Sequence, residues 1–323
     1  MSELAFSVVV ATYDRREVLA RTLRALLGQQ GAPDFEIIVA DDGSRDGTPE
    51  MAERLLAAGH VPHRISSAPN TGQAAARNRA MKLARAPVVL FLNDDTIPAP
   101  DLLQRHAEAR ARCSRGGEAD DGLCVLGRAR TAPSLPPGDI ARLYEFDYRL
   151  IEGRDEVPYL FFWTCNLSVP REILLASGGF DTSYRALEDL ELGWRLASKG
   201  LRIHYEPRAL VDHEHPMDLR ALCREMHVRG RMLRRYVDQH GMTPGLADYM
   251  DIGTEGGSWK RRLRQALERR LWNPATLAPV ERLLSRPKPP TPLRQYLFFK
   301  LMHAFKLAGF TGRAVDSLPL PGD

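Results

Sequence analysis

PVVLFLNDDTIPAP, residues 87–100, is the stretch whose reading decides the fold. Val88–Leu92 is a run of five apolar residues that reads as a strand buried on both faces. It stops at Asn93-Asp94-Asp95, and Pro98 and Pro100 follow at once. Two adjacent carboxylates at the end of a buried strand repel each other, so something must offset that repulsion. A plain turn is one reading, since Asn and Asp are turn formers. The other is a divalent ion, because carboxylate and phosphate oxygens are hard ligands that suit Mg²⁺ or Mn²⁺.

Outward from this strand, the pattern alternates between strand and helix. Residues 6–12 (FSVVVAT) and 35–40 (FEIIVA) predict strands, the second ending in Asp41-Asp42-Gly43-Ser44. Residues 18–29, with leucines at 19, 23, 26 and 27, predict a helix, as do 48–58, with Thr48 as N-cap. A short strand near 63–66 precedes an alanine-rich helix that runs from Asn70-Thr71-Gly72 to about Arg85, and Asp101 is expected to cap another helix. Repeated strand–helix units imply a parallel sheet with helices on both faces. Ligands gather at the carboxyl ends of such strands, and both acidic pairs, 41–42 and 94–95, lie there. Residues 113–139, rich in Gly, Pro and charge, read as mobile surface loops. Periodicity returns with YLFFWTCNLSV (159–169), a helix over 187–199 and a strand over 201–205.

The 323 residues are 44% hydrophobic and 7% aromatic, ordinary for a folded globular chain. No window approaches the roughly 18 uninterrupted apolar residues of a membrane-spanning helix. The N-terminal MSELAFSVVVATYD lacks the basic start and cleavage site of a signal peptide, so none is expected. Four scattered cysteines, 113, 124, 165 and 223, form no ligand or disulfide pattern and suit a reducing cytosol. Within the net charge of +4, residues 216–323 hold 19 Lys and Arg against 10 Asp and Glu, which leaves the first 215 residues at −5. This asymmetry suggests a domain over 1–215 and a basic, mainly helical lobe over 216–323, with helices at 219–237, near 260–271 and at 295–307.

Several residues are suited to chemistry. Gly72 permits close backbone approach at a helix start, an anion-friendly geometry, and Arg77 lies within that helix. Glu188-Asp189 opens a helix whose dipole keeps a carboxylate ionised, as a general base requires.

In order, VVVATYDR, IIVADDGSRDGT, NTGQAAARN, VVLFLNDDTIPAPDLL, TCNLSVPREIL, GGFD, EDLELGWRL and YEPRALVDHEH resemble the GT-A glycosyltransferases of family 2 over residues 5–215. The resemblance implies an α/β fold of GT-A type, Rossmann-like, with a mixed, mostly parallel sheet. It also implies inverting transfer from a nucleotide-diphosphate sugar, with Mn²⁺ or Mg²⁺, to a glycan, polysaccharide or lipid-linked acceptor hydroxyl. Thr12 and Tyr13 match the segment under the nucleotide, Asp41 and Asp42 the acids that hold base and ribose, and Arg77 the arginine beside the nucleotide. Asp94 matches a ribose contact and Asp95 a metal ligand. Asp189 matches the catalytic base with Glu188 as its neighbour, and His213 a histidine that completes the metal site in some relatives. Asn93 stands where many relatives carry a first Asp, Ala80 replaces a usual glycine, and His215 competes with His213.

The basic tail, with MHVRGRMLRRYV and YLFFKLMHAFKLAGF, suits a bilayer surface or an anionic lipid-linked acceptor. A cytoplasmic protein peripheral to the inner membrane face is therefore expected. A sugar-nucleotide nucleotidyltransferase is the alternative enzyme, but ATYDRREV lacks its glycine-rich loop. A non-catalytic anion- or nucleic-acid-binding role for the tail leaves the acidic cleft unexplained, so no nucleic-acid partner is expected.

Overall fold

The structure is a computed structural model, and it describes residues 3–114, 122–144, 148–249, 279–280, 282–286 and 288–312. The helix expected near 260–271 lies outside the described residues. The chain divides into two compact units. One comprises Met1–Pro133, Phe146–Tyr184 and Glu188–Glu214; the other comprises Ser134–Glu145, Arg185–Leu187 and His215–Asp323.

The first unit is built on β1 (Phe6–Thr12), α1 (Arg16–Leu27), β2 (Phe35–Asp41), α2 (Thr48–Ala57), β3 (His63–Ser67), α3 (Gln73–Leu83) and β4 (Val88–Asn93). Then come β5 (Thr96–Pro98), α4 (Leu102–Cys113), β6 (Leu123–Thr131), β7 (Glu156–Val157), β8 (Asn166–Pro170), α5 (Arg171–Ala176), α6 (Glu188–Ala197) and β9 (Arg202–His213). One nine-stranded sheet runs in the order β3-β2-β1-β4-β8-β6-β9-β5, with β7 paired to β9. The first four strands are parallel, and β8 turns the sheet antiparallel on both its sides. This is the expected GT-A class of α/β sheet.

Strands buried on both faces carry long apolar runs, and β1 (Val8–Ala11) and β4 (Val88–Leu92) do so. On one face Val8, Val10, Ile37, Val39, Leu90 and Leu92 form a core with Leu19, Leu23 and Leu26 of α1 and Leu56 of α2. On the other, α3 packs on β1 and β2. Its buried Ala74, Ala76 and Ala80 are small enough to bring the helix backbone close to the sheet.

Several expectations need correction. Residues 123–131, inside the stretch read as loops, form β6, whose neighbours are β8 and β9. The strand expected over 201–205 runs on to His213 across Pro207, which falls where the β6–β9 register skips from Glu206 to Leu210. A bulge is where a strand tolerates proline. Neither Thr48 nor Asp101 caps its helix by a side-chain hydrogen bond. Asp46 instead accepts from the Thr48 N–H and hydroxyl, and the Asp101 carboxylate takes Arg105.

In the second unit α7 (Leu219–His240) and α9 (Pro292–Phe310) pack together, with a one-turn α8 (Leu246–Tyr249) between them in sequence. Their core holds Leu222, Met226, Phe298, Leu301 and Phe305.

Candidate active site

Strand register assembles the site. Thr12 at the end of β1 lies opposite Asp41 of β2, and Ala11 opposite Asn93 of β4. Three parallel strands therefore end side by side, and the residues just past them, Tyr13, Asp42, Asp94 and Asp95, emerge together. A cavity of about 220 Å³ opens there, lined by Ala11, Thr12, Tyr13, Arg15, Asp42, Gln73, Ala76, Arg77, Asn93, Asp94 and Asp95.

Asp94 and Asp95 are almost wholly buried, at 5% and 4% exposure. Unit charges about 4 Å apart repel by about 4 kcal/mol at an effective dielectric near 20, so a counter-charge is required. Arg15 supplies it. Its Nη1 donates to Asp94 Oδ1 at 2.9 Å and its Nη2 to Asp95 Oδ2 at 3.0 Å. The other Asp94 oxygen accepts from the Thr12 hydroxyl at 2.8 Å, and Thr22 of α1 donates to the Asp94 carbonyl at 2.6 Å. Sequence reasoning did not single out Arg15. The signal was the unmet charge of the acid pair, with the answering cation 79 residues away.

Arg77 projects from α3. Its Nη1 donates to Glu188 Oε1 at 2.7 Å and its Nη2 to Asn93 Oδ1 at 3.2 Å, and the guanidinium lies 5.7 Å from the Phe180 ring centre. Gln73 Nε2 also donates to Glu188 Oε1, at 2.7 Å. Both members of the Arg77–Glu188 pair are buried, with side-chain exposures of 5% and 3%. This pair ties the start of α6 to the cavity wall. Leu187, just before, holds φ 63°, a strained conformation for such a side chain.

Asp189 follows Glu188 in the first turn of α6 and is half-buried, with Oδ1 accepting the Leu190 N–H at 2.8 Å. It is not one of the cavity-lining residues. Cys165 records how near the charges lie to one another. Its thiol is pushed up to about 12 by burial, then by the negative charges of Asp189 and Asp95, with Arg77 opposing. One sulfur thus senses both candidate acids.

Asp41 and Asp42 face different partners. The Asp41 carboxylate accepts from the N–H groups of Gly43 and Ser44 at 3.2–3.4 Å and shapes its own turn. Asp42 accepts from Thr71 and Gly72 N–H at 3.0 and 2.7 Å, which joins the β2 end to the entry of α3. Tyr13 is 44% exposed at the cavity rim.

Strand β9 carries His213 opposite Thr96 of β5, and its Nε2 lies 3.4 Å from Asp95 Oδ1. His215 lies past the strand end, in the other unit. Neighbouring ligands of an octahedral ion with bonds of about 2.1 Å sit about 3 Å apart, so Asp95 and His213 fit two adjacent positions. Among the described residues no group of three or more His, Cys, Asp and Glu is placed to hold a metal ion. Other positions would fall to water and substrate oxygens, the usual habit of Mg²⁺.

Residues 7–112 match the family model described as glycosyl transferase family 2. The chain is 32% identical over 223 residues to validoxylamine A glucosyltransferase of Streptomyces hygroscopicus subsp. limoneus, covering 60% of this chain and 48% of that one. A pre-mycofactocin glycosyltransferase of Mycobacterium tuberculosis is 30% identical over 227 residues, covering 66% of this chain and 43% of its own. The chain thus spans about half the length of the curated relatives it matches. Among solved structures, a mannosyltransferase from Pyrobaculum calidifontis in complex with GDP-Man and Mn²⁺ superposes with a TM-score of 0.63 at 19% identity, covering 98% of this chain and 88% of that one. Sheet order, acidic strand ends and these likenesses define a GT-A fold. Over residues 7–112 the chain is similar to the glycosyl transferases of family 2. None of these likenesses is to a nucleotidyltransferase or a nucleic-acid-binding protein.

Proposed function

We propose that the chain transfers a sugar from a nucleoside-diphosphate sugar to an acceptor hydroxyl with inversion, using the first unit as the catalytic domain and the second as an appended basic lobe. The observation that carries this reading is the convergence of Thr12, Asp42, Arg77, Asp94 and Asp95 on one cavity, with Arg77 anchoring the helix that begins Glu188-Asp189.

In this reading Tyr13 lies against the base, Asp41 and Asp42 shape the base and ribose side, and Asp94 faces the ribose. Arg77, whose charge is balanced by Glu188 when the site is empty, supports the diphosphate. Asp95 and His213 would hold Mn²⁺ or Mg²⁺, which supplies charge neutralisation for the departing diphosphate. Asp189 takes the proton of the acceptor hydroxyl from the opposite side of the sugar, and its place in the first turn of α6 favours the ionised base. A single base and in-line attack give inversion at the anomeric carbon. Glu188, buried against Arg77 and Gln73, positions that base rather than taking the proton itself.

A thermal-shift screen of UDP-, GDP- and dTDP-sugars with and without Mn²⁺ tests donor and metal together; the reading expects selective stabilisation by one nucleotide. Asp189→Asn should lower turnover at least about a hundredfold, the range of general-base catalysis, while donor affinity holds. Near wild-type turnover in that variant would remove Asp189 from its role.

A lipid-linked acceptor accords with the second unit. On α9 Leu293, Tyr296 and Phe299 are exposed, and Lys300 lies 5.7 Å from the Tyr296 ring. No helix among the described residues is long and apolar enough to cross a membrane. An exposed apolar stripe with a cation, on a lobe of excess positive charge, suits an anionic lipid surface. Flotation of the full chain with anionic but not neutral vesicles, reduced by Leu293→Ser with Phe299→Ser, is the expected result. Equal flotation with both vesicle types removes the electrostatic part of this reading.

A further inference from the structure

We propose that Arg15 is the site's resident counter-cation: it occupies the acid pair when the cavity is empty, transfers to the donor's diphosphate on binding, and so makes metal uptake depend on nucleotide. The proposal rests on the transfer reading above, since it needs a diphosphate.

The placement of Arg15 is built into the fold. Asp14 holds φ 50°, and its N–H donates to Ser44 Oγ at 2.8 Å while its Oδ1 accepts the Arg45 N–H at 2.6 Å. One residue further, the Arg16 N–H donates to Asp46 at 3.0 Å. The backbone on both sides of Arg15 is thereby pinned to the loop after β2, and Arg15 sits at the N-terminal boundary of α1. Its side chain is nevertheless 30% exposed and lines the cavity, whereas the two carboxylates it joins are nearly dry. A long side chain on a fixed base, about a third in solvent, can swing; the acids cannot follow it.

Charge decides the order of events. Two carboxylates and one guanidinium leave a single negative charge. A divalent ion entering alone beside Asp95 would reverse that to a net positive charge and face the guanidinium a few ångströms away, in a setting where each unit of repulsion is large. A diphosphate entering with the ion restores a net negative charge and offers the guanidinium new oxygens in the fork geometry that arginine matches. Space points the same way. The cavity of about 220 Å³ is smaller than the roughly 300–1,000 Å³ of sites that enclose sizeable ligands, and Arg15 is the long, partly exposed side chain among its lining residues. Linkage requires the effect to be mutual: nucleotide tightens metal and metal tightens nucleotide by one factor.

The test is a titration of Mn²⁺ followed by the resonance signal of the free ion, on the full chain, alone and with saturating UDP or GDP. Wild type should bind Mn²⁺ at least about tenfold more tightly with its nucleotide, a coupling of about 1.4 kcal/mol. Arg15→Met should tighten Mn²⁺ alone by about tenfold and shrink the nucleotide enhancement in proportion. Arg15→Lys keeps the charge and should leave binding of Mn²⁺ alone near wild type. Arg15→Gln, which can still donate to a carboxylate, stands in if Arg15→Met does not fold. If wild type shows the coupling and the Met and Gln variants leave it unchanged, Arg15 is not the counter-cation, and the transfer reading stands. If wild type binds no nucleoside diphosphate with or without Mn²⁺, both fall together.

Discussion

Charges in the two units are used in opposite ways. In the sheet unit the telling pairs hold buried carboxylates and join distant parts of the chain: Arg77 with Glu188, 111 residues apart, and the partly exposed Arg15 with Asp94, 79 apart. In the helical unit, pairs such as Glu225–Arg229 and Arg234–Asp238 sit one helical turn apart on exposed surface. Its buried Arg294 donates through Nη1 and Nη2 to the backbone carbonyls of Leu283, Leu284 and Arg286. Buried pairs are costly to desolvate and weak evidence for stability in themselves, so their gathering around one cavity points to function. Surface pairs at helical spacing contribute little.

The largest effect should follow from breaking the most buried pair. Arg77→Met leaves the Glu188 carboxylate with Gln73 but without its cation, and removing one partner of a buried pair costs about 3–5 kcal/mol. Adding Glu188→Gln removes the stranded charge and should recover most of that loss, though not activity, because the start of α6 has then lost its buried ion pair. Urea unfolding of the single and double variants measures both terms. A single variant within about 1 kcal/mol of wild type would show that this pair does not hold the start of α6.

This contrast also explains what could be read from the sequence. Strands β1, β2 and β4 were legible because burial on both faces favours unbroken apolar runs such as Val8–Ala11, Ile37–Ala40 and Val88–Leu92, and α1 because its leucines follow the helical period. Strand β6 was not, for a reason visible at Gly127. A Cβ there would strike the Asn166 side chain and the Ala209 carbonyl, so the position must be glycine, and glycine reads as a loop. Beyond it Arg128 and Arg130 point outward on either side of buried Ala129, a strand alternation whose inward member is too small to look hydrophobic. Pro207 hid the second half of β9 in the same way. The acid pairs and Glu188-Asp189 stood out as local motifs, whereas the contacts that define their state, Arg15 on Asp94 and Asp95 and Arg77 on Glu188, join distant segments and no local pattern encodes them.

Glycine carries the next prediction, now in the helical unit. Gly230 of α7 and Gly309 of α9 let the two backbones meet: a Cβ on Gly230 would overlap the Lys306 carbonyl, and one on Gly309 the His227 carbonyl. Gly230→Ala gains about 1 kcal/mol of helix propensity but forces the helices apart. Overpacking of about 1–3 kcal/mol is the floor for a backbone clash, so a net loss of about 2 kcal/mol is expected, read as a lower midpoint in thermal or urea unfolding. A neutral or stabilising outcome would mean that the helices do not touch there.

A buried histidine in the sheet unit gives a smaller, pH-selective effect. His106 is wholly buried between Ser168 Oγ, 3.1 Å from Nδ1, and Asn166 Oδ1, 2.9 Å from Nε2. Because Asn166 Nδ2 donates to the Ala209 carbonyl at 2.9 Å, its Oδ1 must accept, which places the imidazole proton on Nε2. Burial holds the ring down at about 4, against an ordinary 6.5. The unfolded chain therefore binds a proton that the native state refuses, and stability is lost as pH falls from 6.5 toward 4. Between pH 6.5 and about 5.5 the loss should be about 1 kcal/mol, and His106→Gln should abolish that portion of the pH dependence while other groups continue to titrate.

The smallest effect belongs to the exposed pairs, and it gives the contrast its control. Arg234 Nε donates to Asp238 Oδ1 at 2.8 Å with both side chains more than half exposed. Solvent screens their attraction, and ordering two mobile side chains offsets part of what remains. A double-mutant cycle of Arg234→Ala and Asp238→Ala should give a coupling of about 0.3–0.5 kcal/mol at low salt, fading as ionic strength rises. The same cycle on Arg77 and Glu188 should give several times that and barely respond to salt, because no ions reach a dry pair. If the two couplings came out equal, burial would not be what separates the cavity's charges from those of the helical surface. The inference from buried charge to function would then lose its physical footing.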